Sequence, residues 1–117
     1  MDLKKGFLFV VFLLAVFSLS KIRFLEDNIR YGEDLEVFTN IVNSGDKDQD
    51  DVRVIALFPE LGETINTPRF DVQDNDNDYQ LMWWTVPTNI PKGDYLVRIA
   101  ASNDNIRTHK FRYITVE

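Results

Sequence analysis

The residues with the most evident capacity for chemistry are aspartates. One group is Asp46, Asp48 and Asp50, with Asp51 beside it. A second is Asp74, Asp76 and Asp78, preceded by Asp71 and interleaved with Asn75 and Asn77. Aspartate at every second position supplies hard oxygen ligands that can converge on a calcium ion. The twelve-residue calcium loop, with glycine at its sixth position and glutamate at its twelfth, fails in both places. Counted from Asp74 those positions are Tyr79 and Thr85, and counted from Asp46 they are Asp51 and Leu57. Asp and Asn also favour turns because their side chains bond to nearby backbone. Two readings therefore stand side by side: a weak calcium site, and solvated turn residues.

Little else is equipped for catalysis. The chain has one histidine, His109, and no cysteine, which excludes thiolate metal sites, a cysteine nucleophile and a disulfide framework. It has no glycine-rich phosphate loop and no nucleophile motif. Paired carboxylates can hydrolyse glycosides, but the acid of such a pair needs surroundings that raise its pKa. These aspartates fall in polar turns. No enzymatic activity is expected, and calcium is the one candidate cofactor. With 13 Lys and Arg against 19 Asp and Glu the net charge is −6, and there is no basic cluster of the kind that phosphate contacts require, so nucleic acid is not an expected partner.

Trp83 and Trp84 form a second candidate site. Adjacent residues of a strand point to opposite faces, so one ring is expected in the core and the other outside. Either can be the buried one. The outer ring can contact carbohydrate or protein near Phe38 or Tyr113, or it can pack beneath a neighbouring loop.

The elements that must position these residues read as strands. The pivot is the stretch from Trp84 to Ile99, where an apolar run ends at Pro87, Pro91 and Gly93 turn the chain, and Tyr95, Val97 and Ile99 alternate on one face. Tyr95, two residues before an inward position, is spaced as the tyrosine corner of immunoglobulin-like sandwiches. Pro91 pre-sets the backbone of this corner and Gly93 relaxes it. Ahead of the corner, strands are expected at Ile22–Leu25, Asp34–Asn43 and Asp51–Phe58. Thr64–Val72 is expected as an edge strand containing Pro68, and Tyr79–Val86 carries both tryptophans. Asp94–Ala101 and Ile106–Val116 follow the corner. Gly45 is expected to supply a positive φ in the loop after Asn43, and Asn43 to cap that turn. About seven strands, each followed by a turn and with no helix among them, indicate an all-β, immunoglobulin-like antiparallel β-sandwich. If the strands alternate in direction in the order A, B, C, C′, E, F, G, the loops at 43–50, 71–78 and 102–105 share one end. Asp104 then joins the two aspartate groups at a single acidic pole. Lys110, Arg112 and Arg107 give the last strand basic character, which protects a sheet edge from pairing with another chain.

Residues 1–20 differ from the rest. Lys4 and Lys5 precede an almost wholly apolar run from Phe7 to Leu19, and Ser18 and Ser20 stand at −3 and −1 of a cut before Lys21. This is the pattern of a secretory signal peptide, and the run is shorter than the roughly 20 residues of a membrane-spanning helix. The competing reading is an uncleaved anchor. The expected division is thus 1–20 as signal or anchor and 21–117 as one β-sandwich domain.

Two segments resemble a known family. Tyr31-Gly32-Glu33-Asp34-Leu35-Glu36-Val37 leads to Ile41-Val42-Asn43-Ser44-Gly45-Asp46 and then to Asp51-Val52-Arg53-Val54. Later, Val86-Pro87 is followed by Ile90-Pro91-Lys92-Gly93-Asp94-Tyr95. Together they resemble CARDB-like and related Ig-like modules of secreted, cell-surface and surface-layer-type proteins of archaea and bacteria. The resemblance implies a non-enzymatic role in adhesion, spacing or presentation. The expectation for this chain is an exported binding or assembly module whose partner is a cell-envelope protein or glycan. Contact with a membrane is expected only through residues 1–20, if they are kept. A calcium-stabilised module and a membrane-anchored subunit of an envelope or filament complex are the alternatives.

Overall fold

A computed structural model describes residues 17–117. The described residues form nine strands and no helix. The strands are β1 (Phe17–Phe24), β2 (Asn28–Ile29), β3 (Asp34–Asn43), β4 (Gln49–Phe58), β5 (Glu63–Asn66), β6 (Phe70–Val72), β7 (Asp76–Thr85), β8 (Gly93–Ser102) and β9 (Arg107–Val116). Strands β1, β3 and β7 make one sheet, in that order. The other runs β2-β9-β8-β4-β5, with β6 also paired to β4. The two sheets bury a shared core, giving the expected all-β sandwich.

Alternation explains which side of each strand is buried. In β3 the core side is Leu35, Val37, Thr39 and Ile41; in β4 it is Val52, Val54, Ala56 and Phe58; in β8 it is Tyr95, Val97, Ile99 and Ala101. β9 follows the same rule only at its end. Ile114 and Val116 are buried, but Lys110 and Arg112 occupy the core-side positions opposite Ile99 and Val97. Charge on the inward side of an exposed edge blocks the addition of another strand.

Several elements differ from expectation. β1 starts at Phe17, so Phe17–Ser20 of the expected leader belong to the sandwich, while the remainder of that segment lies outside the described residues. Phe17 and Leu19 are 2% and 0% exposed. A β-bulge at Ser20 then shifts the phase, so that Ile22 and Phe24 pack on the core instead of Lys21 and Arg23. The expected single strand at Thr64–Val72 is two, β5 and β6, which pair with different parts of β4. Pro68 has no N–H to offer between them. Thr67, itself buried, bridges the gap: its N–H donates to the Val54 carbonyl (2.9 Å) and its Oγ1 accepts from the Val54 N–H (3.1 Å). Finally, Asn28–Ile29 lies in the expected turn but pairs in parallel with Thr115 and Val116, carrying the chain from one sheet to the other.

The corner folds as expected at Tyr95 and Gly93. The Tyr95 hydroxyl donates to the Pro91 carbonyl, and Gly93 has φ 141°, a backbone that side-chain-bearing residues rarely adopt. Tyr31 donates to the Ile90 carbonyl at 2.6 Å, pinning the same loop from the turn between β2 and β3. Burial pushes the Tyr95 phenol above its ordinary value, with the nearby Tyr31 and Glu60 adding to the shift. A folded pKa above the unfolded one contributes stability below the ordinary tyrosine value and loses it as pH rises through the folded value. Wild type is therefore expected to lose urea resistance as pH rises through and above the ordinary tyrosine value of about 10, and Tyr95→Phe to start lower at neutral pH but decline less over the same rise. Urea midpoints at each pH, compared between the two proteins, check this.

Candidate functional site

The two candidate regions lie at different places on the sandwich. The loops 44–48, 73–75 and 103–106 meet at one end, as the alternating topology required. The Asn75 N–H donates to the Gly45 carbonyl (3.0 Å), and the Asn103 amide donates to Gln49 Oε1 and to the Asp50 carbonyl (3.0 Å each). The centre of this pole is Asn43, wholly buried. Its Nδ2 donates to the carbonyls of Lys47 (2.7 Å) and Val72 (3.1 Å), and its Oδ1 accepts the Gly45 N–H (3.1 Å). Asn43 thus caps the turn as expected. Gly45 does not have the positive φ expected of it. The left-handed residues here are Asp51 (φ 55°) and Asn75 (φ 53°); Asx residues tolerate that backbone better than most.

The aspartates are not gathered into a ligand cage. Among the described residues no group of three acidic or histidine side chains is placed to hold a metal. Asp48 Oδ1 instead accepts the Asp74 N–H (2.8 Å), tying two loops together, and Asp71 Oδ1 of β6 accepts the Asp51 N–H of β4 (3.0 Å). Asp76 and Asp78 lie within β7, opposite Asn43 and Ile41, because that strand begins three residues earlier than its apolar run suggests. Asp76 accepts the Asn77 N–H and Asp78 accepts from Gln80. Asp46, Asp50 and Asp104 complete the pole at its exposed rim, Asp50 through its backbone carbonyl.

The tryptophans separate as the strand period demands. Trp84 is buried, stacks on Phe58 with ring centroids 4.1 Å apart, and donates its indole N–H to Glu63 Oε2 at 2.7 Å. Trp83 faces outward and is 58% exposed. It stands opposite Glu36 on the outer face of the three-stranded sheet, with Leu81 and Tyr79 following along β7. Phe38 is directly opposite Leu81, and Tyr113 lies on the other sheet, so of the two expected neighbours Phe38 is the one on this face. Tyr79, Leu81, Phe38 and Leu25 are all exposed. Leu25, Phe38, Tyr79 and Leu81 line a shallow groove of about 420 Å³ whose rim carries Lys21 and Arg23 from β1. Leu81 and Tyr79 were not singled out from the sequence, although the alternation Tyr79, Leu81, Trp83 opposite Gln80, Met82, Trp84 already marks a strand apolar on both faces.

The outer row is a contiguous apolar surface, which soluble domains seldom leave open without a partner. What it offers is aromatic and aliphatic contact with two cations at its edge. It has no nucleophile and no buried acid or base.

The comparisons with known proteins bear on the fold. No family model and no curated protein sequence matches the chain. Among solved structures it is similar to a CARDB domain of Pyrococcus furiosus, solved in complex with di-metal ions, with a TM-score of 0.62 and 12% identity over 87% of this chain and 86% of that one. It is also similar to the alkylpurine DNA glycosylase AlkC of Pseudomonas fluorescens, solved bound to DNA containing an abasic site analog. There the TM-score is 0.63 and the identity 10%, over 86% of this chain but only 30% of that one. The chain therefore has the fold of a CARDB-like module, as the resemblance in its sequence implied.

The separation of the tryptophans has a measurable consequence. Trp84→Ala removes a stacked core ring and strands Glu63, and is expected to cost about 3–5 kcal/mol. Trp83→Ala is expected to stay within about 0.5 kcal/mol of wild type. Urea unfolding of both variants checks the assignment.

Proposed function

We propose that this chain is an exported, non-enzymatic β-sandwich module that works by binding at the cell surface, using the outer face of β3 and β7. The observation that carries the reading is the exposed row Trp83, Leu81 and Tyr79 with Phe38 beside it. Aromatic anchors with aliphatic neighbours suit a protein surface, where a few large rings carry most of the binding energy. Lys21 and Arg23 at the rim favour an acidic border on that partner. A cell-envelope protein is therefore the preferred partner and an envelope glycan the alternative. The CARDB-like fold supports a module of this kind, and the leader-like composition of the first residues supports its export. The net charge of −6 speaks against nucleic acid, whatever the distant glycosylase binds.

The test is a pull-down from envelope extract with wild type, Trp83→Ala and Leu81→Ser, paired with a glycan array. Wild type is expected to retain a defined protein that both variants lose by at least about tenfold, the scale of a central aromatic contact. Retention by both variants overturns the face. A glycan signal that is lost in Trp83→Ala replaces the protein partner with a sugar.

A calcium-stabilised module is the second reading. It is supported by three Asp-containing loops meeting at one pole and by the di-metal complex of the Pyrococcus domain. It requires Asp48 and Asp71 to leave the N–H groups of Asp74 and Asp51. The melting midpoint is expected to be the same in calcium and in chelator. A calcium-dependent rise of more than about 4 °C, the scale of 1 kcal/mol in a domain this size, would establish the second reading instead.

A further inference from the structure

We infer that the exported module keeps Phe17–Ser20, so that any cut removing the apolar leader falls before Phe17 and not between Ser20 and Lys21. This inference stands apart from the binding face. It rests on what β1 contributes to the sandwich.

The small residues Ser18 and Ser20 satisfy the local chemistry of a cut before Lys21. The fold does not tolerate its consequence. Phe17–Leu19 pair with Asn43–Ile41 of β3 in continuous antiparallel register, and Phe17 and Leu19 are buried in the shared core. A cut before Lys21 removes half of the eight-residue strand. It leaves two vacancies among the core residues and bares the β3 edge at its apolar end, beside the buried Asn43. Ser20 has a place as well. It is the bulged residue, and its Oγ accepts the Asn40 amide at 2.9 Å. Without the bulge, the spacing from Leu19 would turn Lys21 and Arg23 toward the core.

The length of the apolar run agrees. Phe17, Ser18 and Leu19 cannot serve the leader and the core together. Once they are in β1, the apolar run left to serve a leader is Phe7–Val16. A single segment can span lipid only as a helix, and ten helical residues would reach about 15 Å, half of the roughly 30 Å hydrocarbon layer. That is the length of a signal-peptide apolar region, about 7–15 residues, and not of a spanning anchor. The strand therefore marks where the leader must stop.

The experiment is expression of the full chain with its own leader, recovery of the exported protein, and intact mass with N-terminal sequencing. The expected first residue is Phe17 or one before it. A start at Ser18 or later overturns the inference. Melting of exported Leu19→Ala and Ser18→Ala gives a second reading that needs no partner. Leu19→Ala is expected to lower the midpoint by about 10 °C or more, and Ser18→Ala to leave it nearly unchanged. Should Leu19→Ala not accumulate, Leu19→Val is expected to lower it by roughly 3–8 °C. A midpoint identical to wild type in the Leu19 variants also overturns the inference. Loss of partner binding in the Trp83 experiment would leave both readouts untouched.

Discussion

The end of the sandwich where three loops meet depends on one buried amide. Asn43 terminates β3, is inaccessible to water, and satisfies two carbonyls and one N–H with a single side chain. A buried carbonyl left without a donor costs on the order of 1–3 kcal/mol, so few residue types can stand here. An apolar residue would orphan Lys47 and Val72. An aspartate would present oxygen to oxygen. Because the Val72 carbonyl belongs to β6 and the Lys47 carbonyl to the loop before β4, the amide sets how these segments approach β3. The second tier, Asp48 to the Asp74 N–H and Asp71 to the Asp51 N–H, builds on that placement. Two of the aspartates at this pole, Asp48 and Asp71, thus accept backbone N–H groups at the exposed surface.

The sheet edges obey a second constraint. An open sandwich exposes unpaired backbone on its outer strands, and three of the edges here are blunted, each differently. β9 carries Lys110 and Arg112 on its core side. β5 has four residues and is followed by Pro68. β7 starts with Asp76 and Asp78. With these edges discouraged, the open apolar surface lies on a face, that of β3 and β7.

Much of this was legible in the sequence because it is governed by short-range rules. The alternation after Gly93 fixes the core side of β8, and two adjacent tryptophans in a strand must part company. The corner followed from Pro91, Gly93 and Tyr95. What the sequence obscured had two sources. One is superposition of signals: Phe17–Ser20 read as the tail of an apolar leader because composition masks the alternation Phe17, Leu19, then Ile22, Phe24. A bulge between them breaks the period that would have revealed one strand. The other is pairing at a distance. Asp76 and Asp78 have turn-like chemistry, yet Asn43 and Ile41 stand opposite and draw them into β7. Which tryptophan is buried likewise depended on Phe58 and Glu63, far along the chain. Gly45 was expected to need a positive φ, but that backbone falls on Asn75 and Asp51.

β1 connects the core to the outer face. Its first half is held by Phe17 and Leu19, and its second half supplies Lys21 and Arg23 to the groove, with Leu25 just beyond. Between them, Ser20 reverses the phase, so that apolar residues point inward on both sides of the bulge and the cations point out. The two halves are parts of one strand, paired along β3 on both sides of the bulge. Charge around the row is mixed, with Lys21 and Arg23 beside the groove and Glu36 opposite Trp83. The phase shift at one serine thus decides which residues of β1 reach the core and which border the groove.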